Sequence, residues 1–151
     1  MKKSIIIYQS FHHHNTKKIV DEIKKNFDVE VLDVDSSNNL DLNNYDYIGF
    51  ASGIAYGKFY QNILDYATNS LPENKKVFLI YTCGVNSKKR YTREILKIIE
   101  NKKSKAIGVF GCLGYDTYVI LKYFGGIAKK HPNQEDISKA IEFYRDLIQN
   151  K

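Results

Sequence analysis

Apolar positions in this chain switch repeatedly between two periods. Residues 4–8 carry Ile5, Ile6 and Ile7 in succession, and an unbroken β-branched run of that length predicts a strand buried on both faces. Residues 15–27 place Ile19, Ile23 and Phe27 four apart with Val20 beside them, the spacing of one helix face. Further strands are expected at 29–32, 47–51, 77–81 and 106–110. Further helices are expected at 60–70, ahead of Pro72, and at 91–100, where Ile95, Leu96, Ile98 and Ile99 cluster. Asn133, with Asp136 three residues on, predicts the start of a last helix. That helix carries Ile137, Ala140, Ile141, Tyr144, Leu147 and Ile148 on one stripe.

Five strands alternating with helices imply an α/β protein, with a doubly wound parallel sheet covered by helices on both faces. Right-handed crossovers leave few topologies, and the order 2-1-3-4-5 is a common one. In such sheets ligands lie beyond the carboxyl ends of the strands, where the winding reverses. The loops after the first, third and fourth strands are therefore the places to look. With 151 residues and no repeat, proline-rich linker or low-complexity tract, the expectation is a single domain over 1–151.

The first of these loops holds Ser10, Phe11, His12, His13, His14, Asn15 and Thr16 between a strand and a helix. Hydroxyls and amides at a helix start suit a phosphate monoester, because the macrodipole favours an anion there. Neither the dinucleotide glycine fingerprint nor a Walker loop is present. Three adjacent histidines lack the spaced pairing of a zinc site, so no metal is expected. An imidazole here suits an extra hydrogen bond to phosphate. The loop after the third strand runs Ser52, Gly53, Ile54, Ala55, Tyr56, Gly57. Its glycines let backbone approach a ligand, and Tyr56 offers a flat contact. After the fourth strand, Thr82, Cys83 and Gly84 supply small side chains and free amides. A planar ring fits between these two loops.

These loops resemble those of the flavodoxin family, whose phosphate loop typically reads Ser/Thr-x-Thr-Gly-Asn-Thr. Here the loop is one residue longer and His14 stands where that family usually has glycine. The resemblance implies a flavodoxin-like three-layer sandwich with FMN as cofactor. Its phosphate would rest on Ser10, Phe11, His12, His14, Asn15 and Thr16. The ring would lie between Ser52–Gly57 and Thr82–Gly84, with Tyr56 on one face and Tyr115 contributing to the other. The implied function is FMN-dependent electron transfer to a redox partner. Residues 52–57 together with the segment 114–131, which includes Tyr115, Tyr118, Tyr123 and Phe124, also resemble flavodoxin-type protoporphyrinogen oxidases. That similarity implies an alternative, an oxidoreductase acting on a porphyrin or quinone through residues 114–131. A flavodoxin-fold binding module without cofactor is the third reading.

Charge and cysteine content refine this picture. The net charge is +6, and it is uneven. Residues 1–75 hold 8 Lys/Arg against 10 Asp/Glu, whereas residues 76–151 hold 15 against 7. The basic half reads either as a lysine-rich solvated face or as a surface that attracts an acidic partner protein or anionic lipid headgroups. No nucleic-acid module accompanies the basic clusters, and nucleic acid is not an expected partner. Cys83 and Cys112 are too few for a disulfide framework and read as buried or half-buried thiols at the ends of neighbouring strands. The run Ile5–Ile7 is too short for a signal segment, and no stretch is long enough to span a membrane. The expected location is the cytoplasm.

Overall fold

The computed structural model describes residues 2–10, 14–36, 40–84, 89–113 and 132–150. The elements run β1 (Ser4–Gln9), α1 (Asn15–Asn26), β2 (Glu30–Asp33), β3 (Tyr47–Ala55), β4 (Lys58–Phe59), α2 (Gln61–Ser70), β5 (Lys76–Cys83), α3 (Arg93–Asn101), β6 (Lys105–Leu113) and α4 (Gln134–Asn150). Single 3-10 turns at Leu42–Asn44 and Lys89–Thr92 precede β3 and α3.

Five strands form the parallel sheet in the order β2-β1-β3-β5-β6. Counted without the short β4, this is the expected 2-1-3-4-5 order. The consecutive isoleucines explain the layering. Ile5 and Ile7 face one side with Ile48, Phe50, Leu79 and Tyr81, under α2 and α3. Ile6 faces the other with Phe78, Ile80, Ile19, Ile23 and Tyr144, under α1 and α4. Every one of these side chains is buried. Because the central strands are covered on both faces, consecutive apolar residues are what they require.

Two local expectations change. The third strand, expected at 47–51, extends to Ala55, and the segment expected as a ligand-facing loop folds back as an antiparallel hairpin. Ala55 pairs with Lys58 and Ile54 with Phe59, leaving Tyr56 and Gly57 as a two-residue turn. Their φ angles are +55° and +76°. A turn with both central residues in the left-handed region matches the right-handed twist of a hairpin. In β6, Val77 pairs with Ala106 but Phe78 with Gly108, so Ile107 is an extra residue bulged out of the ladder.

The start of α4 follows its sequence signal. Asp136 N–H donates to Asn133 Oδ1 and Asn133 N–H donates to Asp136 Oδ2, both at 2.9 Å. This reciprocal pair satisfies two backbone donors that a helix start leaves open. Among the described residues no helix is long and apolar enough to cross a membrane.

A buried tyrosine and a half-buried cysteine give the fold an alkaline limit. Tyr45 is pushed up to about 12 by burial first and then by its 2.5 Å hydrogen bond to the Glu30 carboxylate. Cys112 is also pushed up to about 12, by burial first and then by Asp136 and Cys83. Both groups are held neutral in the fold and ionise earlier in the unfolded chain, near their ordinary values of roughly 10 and 8.5. Stability from this source is therefore whole below about pH 8.5 and falls as pH rises towards about 12. Urea denaturation at stepped pH is expected to show the midpoint falling across that window. A midpoint flat to pH 11 would contradict it.

Candidate functional site

Three chain segments meet at the carboxyl edge of the sheet where β1, β3 and β5 end. Thr16, in the first turn of α1, is 1% exposed, and Thr82, near the end of β5, is 4% exposed. Their hydroxyl oxygens are 2.9 Å apart. Two hydroxyls sharing one bond use only one of their two protons, so a second O–H remains to be donated. Ser10, just beyond β1, accepts a 3.3 Å hydrogen bond from the Lys17 N–H. That is long for such a bond, so this amide is only loosely satisfied. No acidic residue lies in the first turn of α1.

His14 caps this helix in the left-handed conformation, φ +55° and ψ +39°, with no side-chain cap. Non-glycine residues adopt that region at a cost. The backbone geometry a glycine would supply is thus kept by a histidine, whose carbonyl accepts the Lys18 N–H at 3.0 Å. Its side chain is exposed, and Asn15 beside it is buried.

A second wall comes from β3. Ser52 is fully buried; its hydroxyl donates to the Gly53 carbonyl at 2.6 Å and accepts the Tyr60 N–H at 2.9 Å. A Cβ at Gly53 would stand 2.3 Å from the Tyr60 hydroxyl oxygen, so only glycine lets Tyr60 close this corner. Ile54 and Ala55 are half-buried in the hairpin. Tyr56 projects from its tip, 92% exposed.

Cys83 is buried and Cys112 half-buried. Thr82 is opposite Cys112 in the ladder, and Cys83 opposite Leu113. The two cysteines are therefore offset by one residue and face opposite sides of the sheet: Cys83 packs with the α2/α3 core and Cys112 with the α1/α4 core. They stay thiols in this arrangement, in agreement with the reading from the sequence.

A family model described as a flavodoxin domain matches residues 5–124. The chain belongs to the flavodoxin family. It is 38% identical over 149 residues to an uncharacterised protein of Methanocaldococcus jannaschii, covering 98% of this chain and 99% of that one. Among solved structures, a flavodoxin from the domain Archaea superposes with a TM-score of 0.71 at 19% identity, covering 97% of this chain and 96% of that one. A Fusobacterium nucleatum flavodoxin bound to flavin mononucleotide superposes with a TM-score of 0.69 at 16% identity, covering 99% and 98%. Both likenesses show the flavodoxin-like fold.

Within this flavodoxin fold the structure brings together Ser10, Asn15, Thr16, Ser52, Gly53 and Thr82, with Cys83 and Gly84 following at the end of β5. Phe11, His12, His13, Tyr115 and the rest of 114–131 lie outside the described residues. One group had no sequence signal. Gln9 is 2% exposed, and its amide donates to Asp35 Oδ2 at 2.9 Å, while Asn62 donates to Asp35 Oδ1 at 3.1 Å. Asp35 thereby ties the end of β1 to the loop after β2 and to α2. The Gln9 carbonyl oxygen is buried without a partner, so an acceptor at the rim of the site is left open. Donors without carboxylates at the helix start, and an open acceptor at the strand end, are a set that fits a phosphate ester bearing a polar ring.

Proposed function

We propose that this flavodoxin-family chain binds one FMN and carries electrons with it. The observation that carries the reading is the Thr16–Thr82 hydroxyl pair. It joins the start of α1, whose first turn carries no acidic residue, to the end of β5. Ser10 and Thr16, with the amides of the first helical turn, would hold the phosphate. The hairpin and the segment after β5 would flank the ring, with Tyr56 available to cover one face. Bound FMN supplies reversible uptake and release of electrons; the chain's part is to anchor, shield and present it. The exposed Tyr56 at the edge of the site supports exchange with an external partner.

Titration of the purified chain with FMN tests this directly. Quenching of flavin fluorescence is expected to saturate at one FMN per chain, with riboflavin binding far more weakly because it lacks the phosphate. Equal affinity for riboflavin and FMN would remove the phosphate cradle from the proposal.

A further inference from the structure

A cleft of about 460 Å³ lies beside the hairpin tip, between Tyr56, Gly57 and Lys58 on one side and Arg90, Arg93, Glu94 and Lys97 on the other. Four cations face one carboxylate. That carboxylate is already engaged: Lys58 Nζ lies 3.6 Å from Glu94 Oε2 and also donates to Gln61 Oε1 at 3.0 Å. Arg93 and Lys97 form no ion pair among the described residues. The Arg90 guanidinium lies over the Tyr91 ring, 5.6 Å from its centroid, and stands beside the Gly57 turn.

This arrangement works against the local structure. Arg93 opens α3, where the helix macrodipole disfavours a cation. Lys97 is four residues on, so like charges are stacked along one helix face. Glu94 and Glu100, each three residues from Lys97, offset part of that repulsion, and an anionic surface arriving from outside would offset the rest. The cleft is also open and its cations stand in solvent, unlike the enclosed apolar pockets that bury small ligands. The half of the chain that supplies Arg90, Arg93 and Lys97 carries 15 Lys/Arg against 7 Asp/Glu, an excess of the same sign as the cleft.

We infer that the groove between the β3–β4 hairpin and α3 is the docking site for an acidic electron-transfer protein, with Tyr56 at the contact edge next to the flavin. This rests on the FMN reading above and names the partner class for that site. Complementary charge chiefly raises the association rate and fixes orientation, and it weakens with salt.

The test uses the FMN-loaded chain, reduced anaerobically, against acidic cytochrome b5, with basic cytochrome c as control. Each reduced flavin passes its two electrons to two ferric haems. Stopped-flow rates with cytochrome b5 are expected to exceed those with cytochrome c at low salt and to fall as NaCl is raised. Arg93→Glu/Lys97→Glu is expected to slow the low-salt reaction with cytochrome b5 by about 10-fold or more and to flatten its salt dependence. Its flavin absorbance is expected to equal the parent's.

A variant that keeps the parent's rate and salt slope overturns the docking site. So does inhibition by pyrophosphate far beyond that of NaCl at equal ionic strength, which would assign the groove to a small anion. A chain that takes up no FMN fails the earlier reading on absorbance alone. In that case calorimetric titration with cytochrome b5 decides the docking: binding lost in the variant retains it, and no binding by the parent ends it.

Discussion

Replacing Ser10 by aspartate is expected to lower FMN affinity by about 100-fold or more while leaving the empty chain at least as stable as before. The two effects separate because the same carboxylate meets different partners in the two states. In the free protein it can accept the Lys17 N–H that Ser10 Oγ accepts at 3.3 Å. It also adds a negative charge at the positive end of α1, worth about 0.3–1 kcal/mol. With FMN present, that charge faces the phosphate. At about 5 Å and an effective dielectric near 20, each pair of unit charges repels by about 3 kcal/mol, or roughly two decades in affinity. Thr16→Val makes a milder companion. It removes a hydroxyl that would donate to a charged group and is expected to weaken binding by about 10-fold. Fluorescence titration reads the affinity and thermal unfolding of the apoprotein reads the stability. Parent-like affinity in Ser10→Asp would falsify the phosphate position; unfolding of the apoprotein would instead show that Ser10 serves the fold.

What the chain announces in advance depends on how local the determining physics is. Ile5, Ile6 and Ile7 announce a strand buried on both faces because no amphipathic element tolerates three consecutive β-branched residues so well. The Asn133–Asp136 pair announces α4 because both its hydrogen bonds span only three residues. The hairpin escaped the sequence reading for an equally local reason. Its turn is Tyr-Gly, and tyrosine at φ +55° is not the Asn or Asp that usually signals such a turn. The sequence places Thr16 and Thr82 in separate loops, but their bond spans 66 residues and exists only once the sheet order is fixed. The Gln9–Asp35–Asn62 link has the same long-range character and gives no local signal. The opposite facing of Cys83 and Cys112 requires the register of β5 against β6, which a bulge at Ile107 shifts by one.

The largest effect on stability is expected from Phe78→Ala. Phe78 is fully buried, with its ring 5.7 Å from that of Tyr144 and 6.5 Å from that of Phe143, both edge-on. Truncating a buried phenylalanine typically costs about 3–5 kcal/mol, against a total of about 5–15 kcal/mol for a domain of this kind. The denaturant midpoint should fall steeply while the chain still folds. Tyr56→Ala removes an aromatic side chain too, yet at 92% exposure it is expected to shift stability by less than about 0.5 kcal/mol. The partner across the ladder makes the test sharper. Gly49 is opposite Phe78, and a Cβ there would stand 2.4 Å from the Phe78 ring. Gly49→Ala alone is therefore an overpacking change, expected to cost about 1–3 kcal/mol. In the Phe78→Ala background that methyl group has room and fills part of the void. The double variant should accordingly lose less than the two single losses combined, with a coupling of about 1 kcal/mol or more. Strict additivity would mean that the ring and the glycine are not packed against each other, and that the close approach of β3 and β5 has another cause.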